Sequence, residues 1–402
     1  MSKPLAADEV IPLARPLIGK REIKLVKRVL RSGRLSLGPM LARFEADLAA
    51  FCGGQEAVAT SSGTTALHLA VRQLGWEEGA AVLTTPLSFV ATANALLYER
   101  VEPVFCDIDP VTLNLDPAAA AAAVGERTVG VLPVHIFGAA AAMPTFEALA
   151  ASGSLSILED GCQALGARDE QGQVIGSRGN LTSFAFYANK QLTTGEGGAL
   201  VCADPATAAH LRSARNQGRA PDMSRLDFDR LGFNYRLSDL QAALGVAQLE
   251  RADEILRARV ELAALYRQAL SSKLDPAPLG AAAADQLAYL PDLPGEAERS
   301  WFVYLVRLPR GVDRRAVIDR LAADLIETKD YLPCIHLFEF YRERFGYQSG
   351  QFPIAEEFAA HSLSLPFWVG MGEVEVERVC TALAAALAAA APRAARRIET
   401  AG

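Results

Sequence analysis

The stretch SFAFYANKQLTTGEGGALV, residues 183–201, decides the fold. Its first part alternates like a strand, with Ser183 on one face and the apolar Phe184 and Phe186 on the other. Three glycines follow and predict a sharp turn, because glycine readily adopts the backbone angles that turns need. Lys190 lies between the strand and the turn. The pattern predicts a strand with a ligand-facing serine, followed by a lysine placed for chemistry.

The residues before this stretch predict the sheet to which its strand belongs. Apolar runs such as AAVLTTP (80–86) and LSILED (155–160) alternate with helical segments such as TTALHLAVRQLG (64–75) and MPTFEALAAS (143–152). Strands that are apolar throughout and alternate with helices predict a buried, mostly parallel sheet flanked by helices. Ligands collect beyond the carboxyl ends of the strands in such sheets.

Two strand ends carry candidate ligand-binding groups. The run LSILED delivers Asp160 to a carboxyl end, where it is either a helix cap or a fixed anion facing a cationic ligand group. Gln163 follows one turn later. Gly63 lies among hydroxyl residues at a strand-to-helix junction, where free N–H groups and the helix dipole favour an anion. Since the lysine of a P-loop is missing there, a single phosphate is the expected ligand, with ordinary helix capping by these residues as the alternative.

A lysine, an aspartate and an anion site together match one cofactor, pyridoxal 5'-phosphate (PLP). Its aldehyde needs a lysine, its ring nitrogen an acidic partner and its phosphate a helix start. Lys190, Asp160 and Gly63 supply these three groups. An amine attacks a carbonyl only when it is unprotonated, and burial favours that form of a lysine.

Composition excludes several other classes of protein. The chain has 402 residues, of which 50% are hydrophobic, and a net charge of −7 without a basic block, so no nucleic-acid partner is expected. Six cysteines occur singly without a CxxC pair, which predicts reduced thiols, and no metal site is expected. The N-terminus lacks a secretory signal, and no run of 18 apolar residues predicts a membrane helix. A cytoplasmic protein without a membrane partner is therefore expected.

The chain is predicted to form two domains. A large α/β domain is expected over residues 11–250, and a smaller α+β domain over residues 251–390, followed by a tail at 391–402. Apolar spacing over residues 236–270 predicts one long helix that links the two domains. The small domain is expected to contain the strand-like SWFVYLVRL (300–308).

Seven segments in a fixed order resemble one known family. They are IPLARPLIGKREI with SGRLSLGP, SSGTTALHLA, SFVATANAL, EDGCQALGA, the opening stretch, GFNYRLSDLQAALGVAQLERAD and IHLFEFYRERFGY. Spanning Ile11 to Leu383, the chain resembles the DegT/DnrJ/EryC1/StrS family of PLP-dependent sugar aminotransferases. The resemblance implies PLP-dependent transferase fold type I, the aspartate-aminotransferase fold, with a mostly parallel central sheet flanked by helices.

The resemblance implies roles around the cofactor ring. It places the Schiff-base lysine at Lys190 and the aspartate that binds the ring nitrogen at Asp160. Gln163 matches the residue on the side of the ring hydroxyl. Phe89 matches an aromatic side chain that stacks on the ring, with packing in the core as the alternative.

The resemblance also implies how the phosphate of PLP is held. Gly63, Thr64 and Ser183 match its phosphate ligands. Asn234 matches a residue that reaches the phosphate of the neighbouring subunit. That match implies a homodimer with two shared active sites.

Substrate contacts are implied less directly. Tyr331 and His336 lie in a segment that usually lines the substrate side, although Cys334 replaces a frequent proline there, and packing is the alternative for His336. Arg215 and Arg219 are candidates for contacts with a nucleotide diphosphate, with a solvated loop charge as the alternative.

The expected activity is transfer of an amino group from an amino acid, usually L-glutamate, to a keto group of a nucleotide-linked sugar. Such a sugar would serve cell-surface polysaccharide or natural-product synthesis. A 4-keto-6-deoxyhexose, as in perosamine synthesis, is the first candidate, and a 3-keto sugar or a cyclitol ketone is the alternative. Two other hypotheses are a PLP-dependent sugar dehydratase, in which histidine replaces the lysine, and a non-catalytic regulatory homologue. The presence of Lys190 argues against the dehydratase, and the presence of Lys190, Asp160 and Gln163 together argues against the non-catalytic homologue.

Overall fold

Helices and strands alternate along the chain, as the apolar pattern predicts. The computed structural model describes residues 5–6, 8–220, 227–293 and 297–390. The helices are α1 Lys20–Ser32, α2 Pro39–Phe51, α3 Gly63–Gln73, α4 Ala91–Tyr98, α5 Pro117–Ala122, α6 Met143–Gly153, α7 Pro205–Ala214, α8 Asp239–Leu249, α9 Ala252–Lys273, α10 Arg314–Ala323, α11 Glu339–Phe345, α12 Pro353–His361 and α13 Glu373–Ala390. The strands are β1 Glu56–Thr60, β2 Ala81–Thr84, β3 Glu102–Phe105, β4 Thr128–Val131, β5 Ser156–Asp160, β6 Leu181–Ala185, β7 Gly198–Cys202, β8 Ala277–Pro278, β9 Ala288–Tyr289, β10 Tyr304–Arg307 and β11 Ser362–Leu365.

The central sheet has the order β1-β7-β6-β5-β4-β2-β3. Its strand pairs are parallel except for those of β7, which runs antiparallel to both β1 and β6. The predicted mostly parallel sheet is therefore confirmed. The antiparallel β7 follows from the glycine turn after Lys190, which sends the chain straight back along β6 without a crossover helix.

Helices cover both faces of this sheet. The face that carries Leu158 packs against Leu67 of α3, and the face that carries Phe184 packs against Phe44 of α2. Phe186 meets Phe44 edge-on, with ring centroids 5.2 Å apart. The alternation at residues 183–186 thus places its phenylalanines in the core, as predicted, because successive strand residues point to opposite faces.

A second sheet, of order β11-β10-β9-β8, is built from the later part of the chain. The hydrophobic cluster around it also takes in Leu87 and Phe137, which follow strands of the first sheet. The division into domains at residue 250 stays a prediction. The tail at 391–402 lies outside the described residues.

The predicted helix over residues 236–270 is wrong, because the chain forms α8 and α9 instead. Arg251 leaves helical geometry, with φ −122° and ψ 13°. Its guanidinium donates to Glu254 at 2.8 Å, and two acidic residues occupy the first turn of α9, as the helix dipole favours. A new helix therefore begins at residues 251–254 (RADE), although the apolar spacing continues through this segment without a break.

Regular pairing in SWFVYLVRL is confined to β10, Tyr304–Arg307. The residues before it lie against the loops that follow β4 and β5: Ser300 N donates to Gly138 O at 2.9 Å, and its hydroxyl donates to Leu165 O at 2.6 Å. Among the described residues, no helix is long and apolar enough to cross a membrane.

Candidate active site

Asp160 ends β5 and is buried, with its carboxylate fixed by two donors. Thr92 Oγ1 donates to Oδ2 at 2.7 Å, and Cys162 N donates to Oδ1 at 3.1 Å. The Ser88 hydroxyl lies 2.8 Å from Thr92 Oγ1 and donates to it, since Thr92 has already used its proton. Residues 161–167 form turns and start no helix, so the helix-cap alternative for Asp160 is wrong.

Lys190 follows a turn closed by its own N–H, which donates to Tyr187 O at 2.9 Å. Its Nζ lies 4.2 Å from the centroid of the Phe302 ring. Burial lowers the pKa of Lys190 below its usual value, while the nearby Asp160 carboxylate partly opposes that shift. The fraction of unprotonated, nucleophilic amine is therefore larger than for an exposed lysine.

The start of α3 is capped so that its first donors stay available. Ser62 Oγ accepts from Thr65 N at 3.1 Å, and Thr65 Oγ1 accepts from Ser62 N at 3.0 Å. The N–H groups of Gly63 and Thr64 belong to the first turn and have no acceptor within the helix. A side chain at Gly63 would put its Cβ 2.7 Å from Ala185 Cβ, so glycine lets β6 approach the helix start. This geometry makes an anion cradle.

Ser183 and Gln163 lie beside the strand ends next to Asp160. Ser183 pairs in register with Asp160 across β6 and β5, and its hydroxyl donates to Glu159 O at 3.3 Å. Gln163 is buried, and its Oε1 accepts from Phe137 N at 3.2 Å. Both residues therefore line the carboxyl edge of the sheet next to Asp160.

Cys162 is a site residue that sequence reasoning missed. Its Sγ lies 3.8 Å from Ser183 Oγ and would be 3.1 Å from a Cβ at Gly63. Burial, and then the charge of Asp160, raise the pKa of the Cys162 thiol, which stays protonated. Its position in the sequence, between Asp160 and Gln163, could have identified it as a residue of the site.

Phe302 and Thr92 were also missed. Phe302 lies 112 positions along the chain from Lys190, and no local pattern links the two. Thr92 stands in SFVATAN, where it reads as an ordinary residue of helix α4. Only the packing of the small C-terminal part against the sheet edge brings the Phe302 ring to the lysine.

Phe89 and Asn234 lie on the surface of the single chain. Phe89 is 60% exposed, so its alternative role in the core is wrong and its ring is free to cover a ligand. Asn234 is exposed and its backbone pairs with Asn216. An exposed Asn234 is compatible with a contact to a second subunit, which stays a prediction.

The structure separates the two substrate-side candidates of the 331–338 segment. The Tyr331 ring lies 6.2 Å from that of Phe302, next to the lysine, so Tyr331 stays a candidate. His336 is fully buried, with Nε2 3.1 Å from Glu356 Oε1 and its ring edge-on to Phe352. The substrate role of His336 is wrong, because Ile335 N donates to Pro86 O and draws this turn inward.

Arg215 and Arg219 also differ. Arg215 is 5% exposed and forms an ion pair with the buried Glu45, so it is neither a solvated loop charge nor a nucleotide ligand. Arg219 is half-buried, and within the described ranges its Nε has no hydrogen-bond partner. Arg219 therefore stays a candidate for a substrate anion.

The donor set fits PLP. A fixed carboxylate, an amine with a lowered pKa and uncapped N–H groups at a helix start lie together at one edge of the sheet. Glycine at position 63 lets the end of β6 lie close to that helix start, because a Cβ there would be 2.7 Å from Ala185 Cβ. The fold and this site define the class of fold type I PLP-dependent transferases.

Comparison with known proteins identifies the family. The model of the DegT/DnrJ/EryC1/StrS aminotransferase family matches residues 16–384, and the chain belongs to that family. Spore coat polysaccharide biosynthesis protein SpsC of Bacillus subtilis is 36% identical, over 94% of this chain and 97% of that protein. GDP-perosamine synthase of Caulobacter vibrioides is 36% identical, over 87% and 90%. The crystal structure of DesV of S. venezuelae, in complex with ketimine intermediate, superposes with a TM-score of 0.83 at 33% identity, over 91% and 94%.

The protein is therefore an aminotransferase, and the resemblance and the fold class drawn from the sequence are confirmed. The same comparison shows that its relatives act in sugar and polysaccharide biosynthesis. Within the described part of the chain, no group of three or more His, Cys, Asp or Glu side chains is placed to hold a metal ion.

Proposed function

We propose that this protein holds PLP through Lys190 and transfers an amino group from L-glutamate to the keto group of a nucleotide-linked sugar. The convergence of Lys190, Asp160 and the start of α3 at one sheet edge carries the proposal. A 4-keto-6-deoxyhexose is the first candidate, supported by the likeness to GDP-perosamine synthase. A 3-keto sugar or a cyclitol ketone is the alternative acceptor.

Each protein group has a defined task in this reaction. When bound, PLP supplies an aldehyde that takes up the amino group and a ring that accepts electrons. Lys190 Nζ would accept the proton from the Cα of the donor and hold it for return, as general base and then general acid. The Asp160 carboxylate faces the ring nitrogen and favours its protonated form. The N–H groups of Gly63 and Thr64 bind the phosphate.

The remaining assignments complete the proposed site. Ser183 joins the phosphate ligands, Gln163 lies on the side of the ring hydroxyl, and the exposed Phe89 covers the ring. Asn234 reaches the phosphate of the second subunit of a homodimer. Substrate contacts are assigned to Tyr331, whose ring lies 6.2 Å from that of Phe302, and to Arg219, whose Nε has no hydrogen-bond partner within the described residues. The enzyme is proposed to act in the cytoplasm.

The rate at which PLP-free protein captures PLP is expected to rise with pH and to level off below the ordinary lysine pKa of about 10.4. Below its lowered pKa the Lys190 amine is protonated and unreactive, and above it the amine is neutral and attacks the aldehyde. Stopped-flow absorbance at a series of pH values measures this rate, with the exposed ε-amine of Nα-acetyl-lysine as the control. A pH profile that coincides with that of Nα-acetyl-lysine would contradict the lowered pKa of Lys190.

A two-stage absorbance experiment tests the proposed function. L-Glutamate is expected to remove the visible band of the PLP-loaded protein and to yield one 2-oxoglutarate per site. Adding GDP- or TDP-linked 4-keto-6-deoxyhexoses is then expected to restore the band and form an equal amount of amino sugar. Restoration by 3-keto sugars or cyclitol ketones alone would select the alternative acceptor. Failure of every acceptor after a successful first stage would overturn the sugar assignment.

A further inference from the structure

The segment Phe233–Tyr235 runs beside the start of α3 and pairs through an isolated bridge between Asn234 and Asn216. Phe233 N donates to Ala214 O at 2.7 Å, and Tyr235 N donates to Arg215 O at 2.9 Å. The rings of Phe233 and Tyr235 stack with centroids 4.9 Å apart and an angle of 8° between them. Asn234, between them, is exposed. Two aromatic rings thus fix the segment on one side while Asn234 projects from the other.

Tyr235 holds the start of α3 at two points. Its backbone oxygen accepts from Ser61 N at 2.8 Å, directly before the cap residue Ser62. Its hydroxyl lies 2.9 Å from His68 Nδ1, one helical turn beyond Thr64. The N–H groups of Gly63 and Thr64 therefore lie between the two contacts of Tyr235, one through its backbone oxygen and one through its hydroxyl.

The proton positions in this contact follow from Glu99. Glu99 Oε1 lies 2.8 Å from His68 Nε2, and Arg72 Nη1 lies 3.0 Å from Glu99 Oε2. A carboxylate only accepts, so His68 Nε2 carries a proton, and the contact at Nδ1 joins the ring to the Tyr235 hydroxyl. Burial raises the pKa of Tyr235, with Tyr98 and Glu99 adding to the shift, so the hydroxyl keeps its proton.

We propose that the hydrogen-bonded chain Glu99–His68–Tyr235 is a positioning element for the phosphate group of PLP. It sets the start of α3 against the strand ends, and with it the N–H groups of Gly63 and Thr64. The same segment carries Asn234, which the proposed function assigns to the phosphate of the second subunit. The inference rests on that proposed function, and its effect is on cofactor retention rather than on the chemical step.

Tyr235→Phe removes the hydroxyl and keeps the ring stack on Phe233. The dissociation constant for PLP, measured by titrating PLP-free protein, is expected to rise about five- to tenfold, as for the loss of one hydrogen bond. The kcat at saturating PLP stays unchanged, because Lys190 and Asp160 are untouched. Tyr347→Phe is the matched control: that partly buried hydroxyl donates to Pro103 O at 3.1 Å, away from α3, and its loss leaves PLP binding unchanged.

A double variant separates positioning from stability. His68→Phe and the double variant His68→Phe/Tyr235→Phe are expected to weaken PLP binding about as much as Tyr235→Phe alone. All three variants interrupt the same series of hydrogen bonds, so their effects do not add. The PLP-free double variant is expected to unfold at a higher temperature than His68→Phe, since no unpaired hydroxyl remains. If PLP binding recovers together with stability in the double variant, the Glu99–His68–Tyr235 hydrogen bonds have only a structural role and the inference is overturned.

Two outcomes distinguish this inference from the proposed function. Wild-type protein that binds no PLP would overturn the proposed function and the inference with it. Wild-type protein that binds PLP, with Tyr235→Phe binding it equally tightly, would overturn the inference alone. A Tyr347→Phe variant that loses PLP as readily as Tyr235→Phe would also overturn it.

Discussion

Replacing Lys190 with alanine is expected to lower kcat for amino transfer from L-glutamate by about 10⁴-fold or more, the upper range for one positioned acid–base group. Lys190 lies near Asp160 in the described site, and its lowered pKa suits it both to hold the aldehyde and to accept a proton. Alanine can do neither. Turnover of L-glutamate with a keto-sugar acceptor measures the loss.

Two further variants show whether the loss belongs to the amine itself. Lys190→Arg keeps the charge over the Phe302 ring without a nucleophilic amine, and it is expected to be equally inactive. Lys273→Ala removes a lysine that pairs with Glu377 far from the sheet edge, and it is expected to keep full activity. Added small primary amines are expected to restore part of the rate to Lys190→Ala, because they can carry the proton.

The fold of Lys190→Ala is expected to survive. The turn at Lys190 is closed by its backbone N–H, which alanine retains. Burying an ammonium costs free energy, so the PLP-free variant should unfold at no lower temperature than the wild type. A Lys190→Ala variant that folds and keeps wild-type transamination would contradict the role of this lysine.

Features that depend on local periodicity were predictable from the sequence. The apolar runs up to Asp160 predicted where strands lie in the sequence, and the alternation around Phe184 predicted which face of β6 is buried. The strand-to-helix junction at Gly63 likewise predicted the anion cradle. Each of these rests on a few consecutive residues, where backbone geometry fixes which side chains share a face.

Features that depend on contacts between distant segments were not predictable. The position of Phe302 beside Lys190 results from the packing of the chain around the second sheet onto the first. Arg215 looked like a loop charge because its partner, Glu45, lies 170 positions earlier. His336 looked like a ligand because the burial of its turn depends on Pro86, from another part of the chain.

Replacing Asp160 with asparagine is expected to lower kcat on the order of 10³-fold while PLP remains bound. The amide keeps the shape of the carboxylate, and its oxygen still accepts from Cys162 N. Its nitrogen can donate to Thr92 Oγ1, which then donates to the Ser88 hydroxyl instead of accepting from it. The negative charge that favours a protonated ring nitrogen is the one property lost. Steady-state turnover at saturating PLP measures the effect.

Charge and orientation can be separated at this carboxylate. Asp169→Asn is the matched control, since this buried carboxylate pairs with Arg178 at 2.6 Å in a remote hairpin and its loss should lower stability but not kcat. Thr92→Val removes one donor that orients Asp160 and keeps the charge, so it should cost less than Asp160→Asn. If Thr92→Val is as damaging as Asp160→Asn, orientation rather than charge is the contribution of Asp160. If Asp160→Asn turns over like the wild type, the carboxylate has no part in electron withdrawal, and the assignment of Asp160 to the ring nitrogen is wrong.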